Sequence, residues 1–147
     1  MKQDPTGQIQ RWINEQGLDA FLVIQPQNRS YLSGWLNDDT EGAGLLLVGQ
    51  EQRIVLTNPL YKEIAEKEAV GWKVVVPKAR IYAPLIAELA GEYGWKKIGF
   101  ESAAISYAEY ERVSDAGKGN YTLQAFEQSP VEQLRLVKQP HELELLK

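Results

Sequence analysis

The 147-residue chain carries 16 Lys and Arg against 20 Asp and Glu, a net charge of −4 that disfavours nucleic acid and anionic membrane as partners. It has no cysteine, which excludes a disulfide frame, a thiolate nucleophile and a thiolate zinc site. Its lone histidine, His141, excludes a metal site needing two histidines within one chain and leaves a single candidate base for any Ser-His-Asp triad.

Helical and strand patterns alternate along the chain. Between Thr6 and Gln16, the apolar residues Ile9, Trp12 and Ile13 fall on one helical stripe, and Gly17 is the expected stop. Ala20-Phe21-Leu22-Val23-Ile24 is too short for a helix and does not alternate, so it reads as a strand covered on both faces. In the segment Pro26 to Trp35, Asn28 is the expected cap of a short helix holding Tyr31 and Leu32, which Gly34 ends. Gly44–Val48 and Arg53–Thr57 flank the short polar connection Gly49-Gln50-Glu51-Gln52 and predict an antiparallel hairpin, which makes the sheet mixed.

Pro59 to Glu68 reads as an exposed helix with Ile64 and Ala65 facing inward, and Lys73–Val76 as a β-branched strand ended by Pro77. Ile81, Leu85, Ile86 and Leu89 form a second helical stripe, with Pro84 in its first turn and a stop near Gly94. Lys97–Glu101 is the next strand. Ser106-Tyr107-Ala108-Glu109 has capping-box spacing for a helix running to about Asp115. Tyr121–Ala125 is the last strand, and Ser129-Pro130-Val131-Glu132 opens another helix. Pro140 interrupts that helix, and the last residues, ending Leu143-Glu144-Leu145-Leu146-Lys147, make a short apolar start with nothing after it to bury it. The chain is therefore expected to be cut from a longer protein.

Met1-Lys2-Gln3-Asp4-Pro5 lacks the apolar stretch of a secretory signal, and no apolar run approaches the roughly 20 residues of a membrane span. A cytoplasmic location is expected, and the two N-x-S/T matches, at Asn28 and Asn120, read as chance. Catalytic motifs are mostly incomplete. His141-Glu142 begins like a zinc helix, but Leu145 stands where the second histidine belongs. Gly42-Ala43-Gly44 begins like a dinucleotide loop, but Leu47 fills the third glycine's place. Asp38, Asp39 and Glu41 form a small acidic loop with too few oxygens for a hard cation, and read as solvated. Pro26 to Trp35 is the most informative stretch, because it follows the first buried strand, where α/β folds place ligand loops. Trp35, between a glycine and the polar residues Asn37 to Glu41, suits core packing and a binding surface equally well.

Several segments resemble, in consistent order, the N-terminal domain of the creatinase/prolidase/aminopeptidase P family. Pro26-Gln27-Asn28-Arg29-Ser30-Tyr31-Leu32-Ser33-Gly34-Trp35 is similar to its P-x-N-x-x-Y-L-[ST]-G-[FW] element. Val55-Leu56-Thr57-Asn58-Pro59-Leu60-Tyr61 resembles its L-x-T-D-x-R-Y stretch, with Asn58 and Leu60 in place of an acidic and a basic residue. Ile98-Gly99-Phe100-Glu101 resembles its I-G-x-E strand. Leu134-Arg135-Leu136-Val137-Lys138 and the following Glu142-Leu143 resemble its LR-x-x-K-x-x-x-E-[IL] linker.

The resemblance implies a three-layer α/β/α domain with a mixed, mostly parallel sheet of ribonuclease H-like arrangement, over residues 1–128, and linker helices over 129–147. It implies a catalytic metallopeptidase domain beyond the linker that hydrolyses Xaa-Pro bonds with two divalent metals, manganese or cobalt. No catalytic or metal-ligating residue is then expected in this chain. It further implies homodimer contacts, and a loop, here Trp35 to Gly42, that approaches a neighbouring active site. On that basis Trp35, Asp38 and Asp39 are the expected substrate-side residues for a proline-containing peptide. Trp35 would give apolar contact and an aspartate would meet the free amine, so Trp35→Ala is expected to raise the KM of the full-length enzyme. Two other readings share the architecture: a peptidase-like module used only for protein binding, and a creatine-type amidinohydrolase.

Overall fold

The computed structural model of the chain describes residues 4–35, 44–78 and 81–136. In chain order these form α1 (Pro5–Glu15), β1 (Ala20–Val23), α2 (Pro26–Ser33), β2 (Gly44–Gly49), β3 (Arg53–Thr57), α3 (Lys62–Glu68) and β4 (Lys73–Val75). Then come α4 (Ala83–Tyr93), β5 (Lys97–Glu101), a 3-10 turn (Ser102–Ala104), α5 (Tyr107–Ala116) and β6 (Thr122–Phe126). Residues 130–136 form a last helix, α6.

The strands make one sheet in the order β4-β3-β2-β1-β5-β6. The β2–β3 hairpin is antiparallel as the short connection predicts, and β2 also runs antiparallel to β1. The β3–β4, β1–β5 and β5–β6 pairs are parallel. The sheet is thus mixed and mostly parallel.

Side-chain alternation splits the interior into two cores. Ala20, Leu22, Leu45, Leu47, Ile98 and Phe100 meet Ile86 and Leu89 of α4 and Val113 of α5. Phe21, Val23, Leu46, Val48 and Val55 meet Ile9 and Ile13 of α1, Leu32 of α2, Ala65 of α3 and Val131 of α6. Every residue of β1 is buried because a helical layer covers each of its faces. Full burial of one such leucine or phenylalanine contributes about 1.5–3 kcal/mol, so these two layers are the main source of stability. On the second face, Trp12, Phe21 and Phe126 meet edge to face with centroids 5.0–5.7 Å apart. Gly99 lies beneath them. A Cβ there would fall 2.8 Å from Phe21 and 2.9 Å from Phe126, which is why the strand reads I-G-F-E.

Five expectations need correction. The N-cap of α2 is Gln25, whose side chain accepts from the Asn28 N–H; Pro26 at the first helical position moves the helix start ahead of Asn28. The helix placed over Pro59–Glu68 starts only at Lys62, because Asn58 Oδ1 accepts from the Leu60 N–H at 2.9 Å and holds a tight turn. Within α3 only Ala65 points inward; Ile64 is 47% exposed, since one short helix on a sheet edge buries a single row. Ile81 precedes α4 rather than joining its stripe, and is 41% exposed. The Ser106 cap does form, with Ser106 Oγ accepting from the Glu109 N–H at 3.1 Å, but the Glu109 carboxylate pairs with Arg112 instead of completing the box.

Candidate functional site

The chain leaves β1 toward one face of the sheet and β5 toward the other: α2 packs with the α1 core, α5 with the α4 core. Neighbouring parallel strands whose connections diverge in this way open a crevice at their carboxyl ends, the usual ligand position in open α/β sheets.

Glu101, the last residue of β5, sits in that crevice only 3% exposed. Its Oε1 accepts the backbone N–H groups of Ile24 at 2.5 Å and Gln25 at 2.7 Å, just past β1. Its Oε2 accepts the Asn28 side-chain amide at 2.7 Å. Asn28 is fully buried, and its Oδ1 accepts from Arg135 Nη1 of α6 at 2.6 Å. The amide thus relays between a carboxylate and a guanidinium, presenting donor to anion and acceptor to cation. A buried carboxylate is tolerated because each oxygen is hydrogen-bonded. With both oxygens engaged, Glu101 holds the β1–α2 turn rather than standing ready as a general base.

Next along α2 comes Arg29, also fully buried. Arg29 Nη1 donates to the Gly44 carbonyl at 2.9 Å, and the guanidinium carbon lies 4.6 Å from the centre of the Trp35 ring. Gly34, in the left-handed conformation at φ 82°, ends α2 and turns the chain so that Trp35 folds back under it. Ser33 Oγ receives the Trp35 N–H at 3.1 Å and itself donates to the Arg29 carbonyl at 2.7 Å. Tyr61 flanks the indole with ring centres 6.3 Å apart. Trp35 therefore has no accessible surface, and the structure places its ring in the second core. Asp38 and Asp39 lie outside the described residues.

The sequence reading did not single out Glu101, Arg29 or Arg135 as a set. Asn28, Glu101 and Arg135 each fall within one of the segments that carry the family resemblance, and that is the one signal the sequence holds for them. No local spacing encodes a contact across 107 positions. Among the described residues, no group of three or more His, Cys, Asp or Glu side chains is placed to hold a metal ion, and no helix is long and apolar enough to cross a membrane.

This architecture, a mixed six-stranded sheet between helical layers with a buried polar relay at the β1 and β5 ends, defines a three-layer α/β module. The profile of the Creatinase/Prolidase N-terminal domain matches residues 6–137, and the chain belongs to that family. The N-terminal domain of cytoplasmic peptidase PepQ from Mycobacterium tuberculosis H37Rv is 28% identical and superposes with a TM-score of 0.76, over 90% of this chain and 99% of that one. Xaa-Pro dipeptidase from Bacillus anthracis is 26% identical with a TM-score of 0.70, over 89% of this chain and 35% of that one. The curated relative "Uncharacterized peptidase YqhT" of Bacillus subtilis (strain 168) is 25% identical over 130 residues. The match takes in 88% of this chain and 35% of that relative, so the chain spans about a third of its length.

Proposed function

We propose that this chain is the non-catalytic N-terminal domain of a metal-dependent Xaa-Pro peptidase, contributing to oligomerisation and substrate access. The observation that carries the reading is the convergence of Asn28, Glu101 and Arg135, which pins the start of the linker helix to the crevice beside α2. The family match and the similarity to a dipeptidase roughly three times as long as the matched part support it. In this reading residues 1–128 form the domain and 129–147 the linker toward a catalytic domain. The described residues do not fit the two divalent metals, which then belong to that other domain.

The same reading keeps Trp35, Asp38 and Asp39 as the substrate-side residues, with Trp35 giving apolar contact and Asp38 or Asp39 the acidic contact toward the peptide's free amine. A cytoplasmic location and a homodimer complete the proposal. The test is Xaa-Pro cleavage with added manganese, by this chain and by the full-length gene product. Activity is expected in the full-length protein alone. Activity in the chain itself overturns the reading, and an inactive full-length protein that lacks the metal ligands favours a protein-binding module instead.

A further inference from the structure

On the α4–α5 side of the same crevice lies a cavity of about 740 Å3, within the range of small-molecule sites. Ile81, Ile86 and Ile105 give it an apolar wall, and Gln25, Gln27 and Ser106 bring uncharged polar groups to it. Among its described lining residues there is one cation, Arg112, and one anion, Glu109, on successive turns of α5. They pair at 2.7 Å through Arg112 Nη1 and Glu109 Oε2, with side chains 49% and 27% exposed. That contact uses one nitrogen and one oxygen, so the second oxygen of Glu109 and the other guanidinium nitrogens keep their capacity for further hydrogen bonds.

A purely anionic ligand would meet Glu109 and a purely cationic one Arg112, so the lining selects a molecule carrying both charges. The closeness of the pair selects further. In an α-amino acid the ammonium and carboxylate flank one carbon, whereas a dipeptide separates them by at least one more residue of about 3.8 Å. We propose that this cavity binds a free α-amino acid with an apolar side chain, its carboxylate on Arg112, its ammonium on Glu109 and its side chain among the isoleucines. The Tyr82 phenol, raised by burial, stays protonated at the cavity wall and adds a hydroxyl to it. This inference is independent of the peptidase reading.

The test is NMR titration of the 15N-labelled chain with L-leucine, following the amides of residues 81–86 and 103–113. Leucine is expected to shift these signals saturably. N-acetyl-L-leucine, L-leucinamide and L-leucyl-L-proline should each bind about tenfold or more weakly, the cost of one lost charge-assisted hydrogen bond or a mismatched spacing. Arg112→Met and Glu109→Gln, both at partly exposed positions of α5, should each weaken leucine about tenfold while leaving the rest of the spectrum in place. Absence of any cavity shift at the solubility limit of leucine overturns the proposal. So does equal binding of the blocked compounds or the dipeptide, or unchanged leucine affinity in both variants.

Discussion

Asn28 Oδ1 accepts a hydrogen bond from Arg135 Nη1 at 2.6 Å, tying α2 to α6 across 107 positions of sequence. Because the same amide donates to Glu101 at 2.7 Å, three distant segments share one fully buried side chain. Asn28→Ala strands a buried carboxylate oxygen and a guanidinium, and is expected to destabilise the chain by about 2–3 kcal/mol in urea unfolding. Arg135→Met, at a half-buried position, should cost about 1 kcal/mol, and the double variant less than the sum. Additive losses would show that the relay is not a unit.

Gly44 supplies a second prediction. A Cβ on Gly44 would lie 2.3 Å from the Leu56 carbonyl oxygen and 3.0 Å from the Trp35 ring, with a backbone that cannot yield on one side and a fully buried indole on the other. Gly44→Ala should cost about 1–3 kcal/mol through overpacking. Gly91, exposed in the last turn of α4 with nothing near its would-be Cβ, gives the opposite sign: Gly91→Ala should stabilise by about 0.5 kcal/mol through helix propensity. Thermal unfolding of the two variants measures both.

Tyr121 predicts an alkaline limit. Burial pushes its phenol up from 10.0 to about 12, and its hydroxyl donates to the Val113 carbonyl at 2.7 Å. Between these values the unfolded chain loses this proton while the native one keeps it, so the unfolded state binds fewer protons and stability falls as pH rises. Tyr121→Phe should cost about 1 kcal/mol at neutral pH by deleting the hydrogen bond. It should also flatten the decline between pH 10 and 12, which denaturation at several pH values would show; an unchanged decline would count against the assignment.

At the acid end, the Arg53 guanidinium, hydrogen-bonded at 2.5 Å, holds the Asp4 carboxyl below its ordinary value of 3.8. A depressed carboxylate contributes stability above its unfolded value and loses it as pH falls through the folded one. Since the Asp4 side chain is 55% exposed, Arg53→Met should cost only about 0.5 kcal/mol at neutral pH. That difference should vanish in strong acid and shrink in high salt, as unfolding free energies of the two chains would show.

The element order, the β2–β3 hairpin and the doubly covered β1 strand were legible because each rests on local signals: periodicity, turn residues and run length. Gly17, Gly34 and Gly94 marked real helix ends for the same reason. Ile64 misled because helical spacing says which residues share a face, but not how wide a stripe the neighbouring sheet will cover. Trp35 shows the limit at the site. Its flanking glycine and polar residues left core and surface equally open, and only the packed structure, with Arg29 at 4.6 Å on one side and Tyr61 on the other, put the ring inside.

The opening counts alone excluded thiol chemistry, a thiolate metal site and a two-histidine centre in this chain, since those depend on which atoms are present. Composition and pattern likewise determined an α/β layer with a mixed sheet. What only the tertiary structure decided is partnership: that Glu101 lies under Asn28, that Arg135 reaches the same amide, and that Arg112 and Glu109 share the wall of one cavity. A hydrogen bond needs its atoms within about 3 Å, and for segments a hundred residues apart only the closed sheet brings them there.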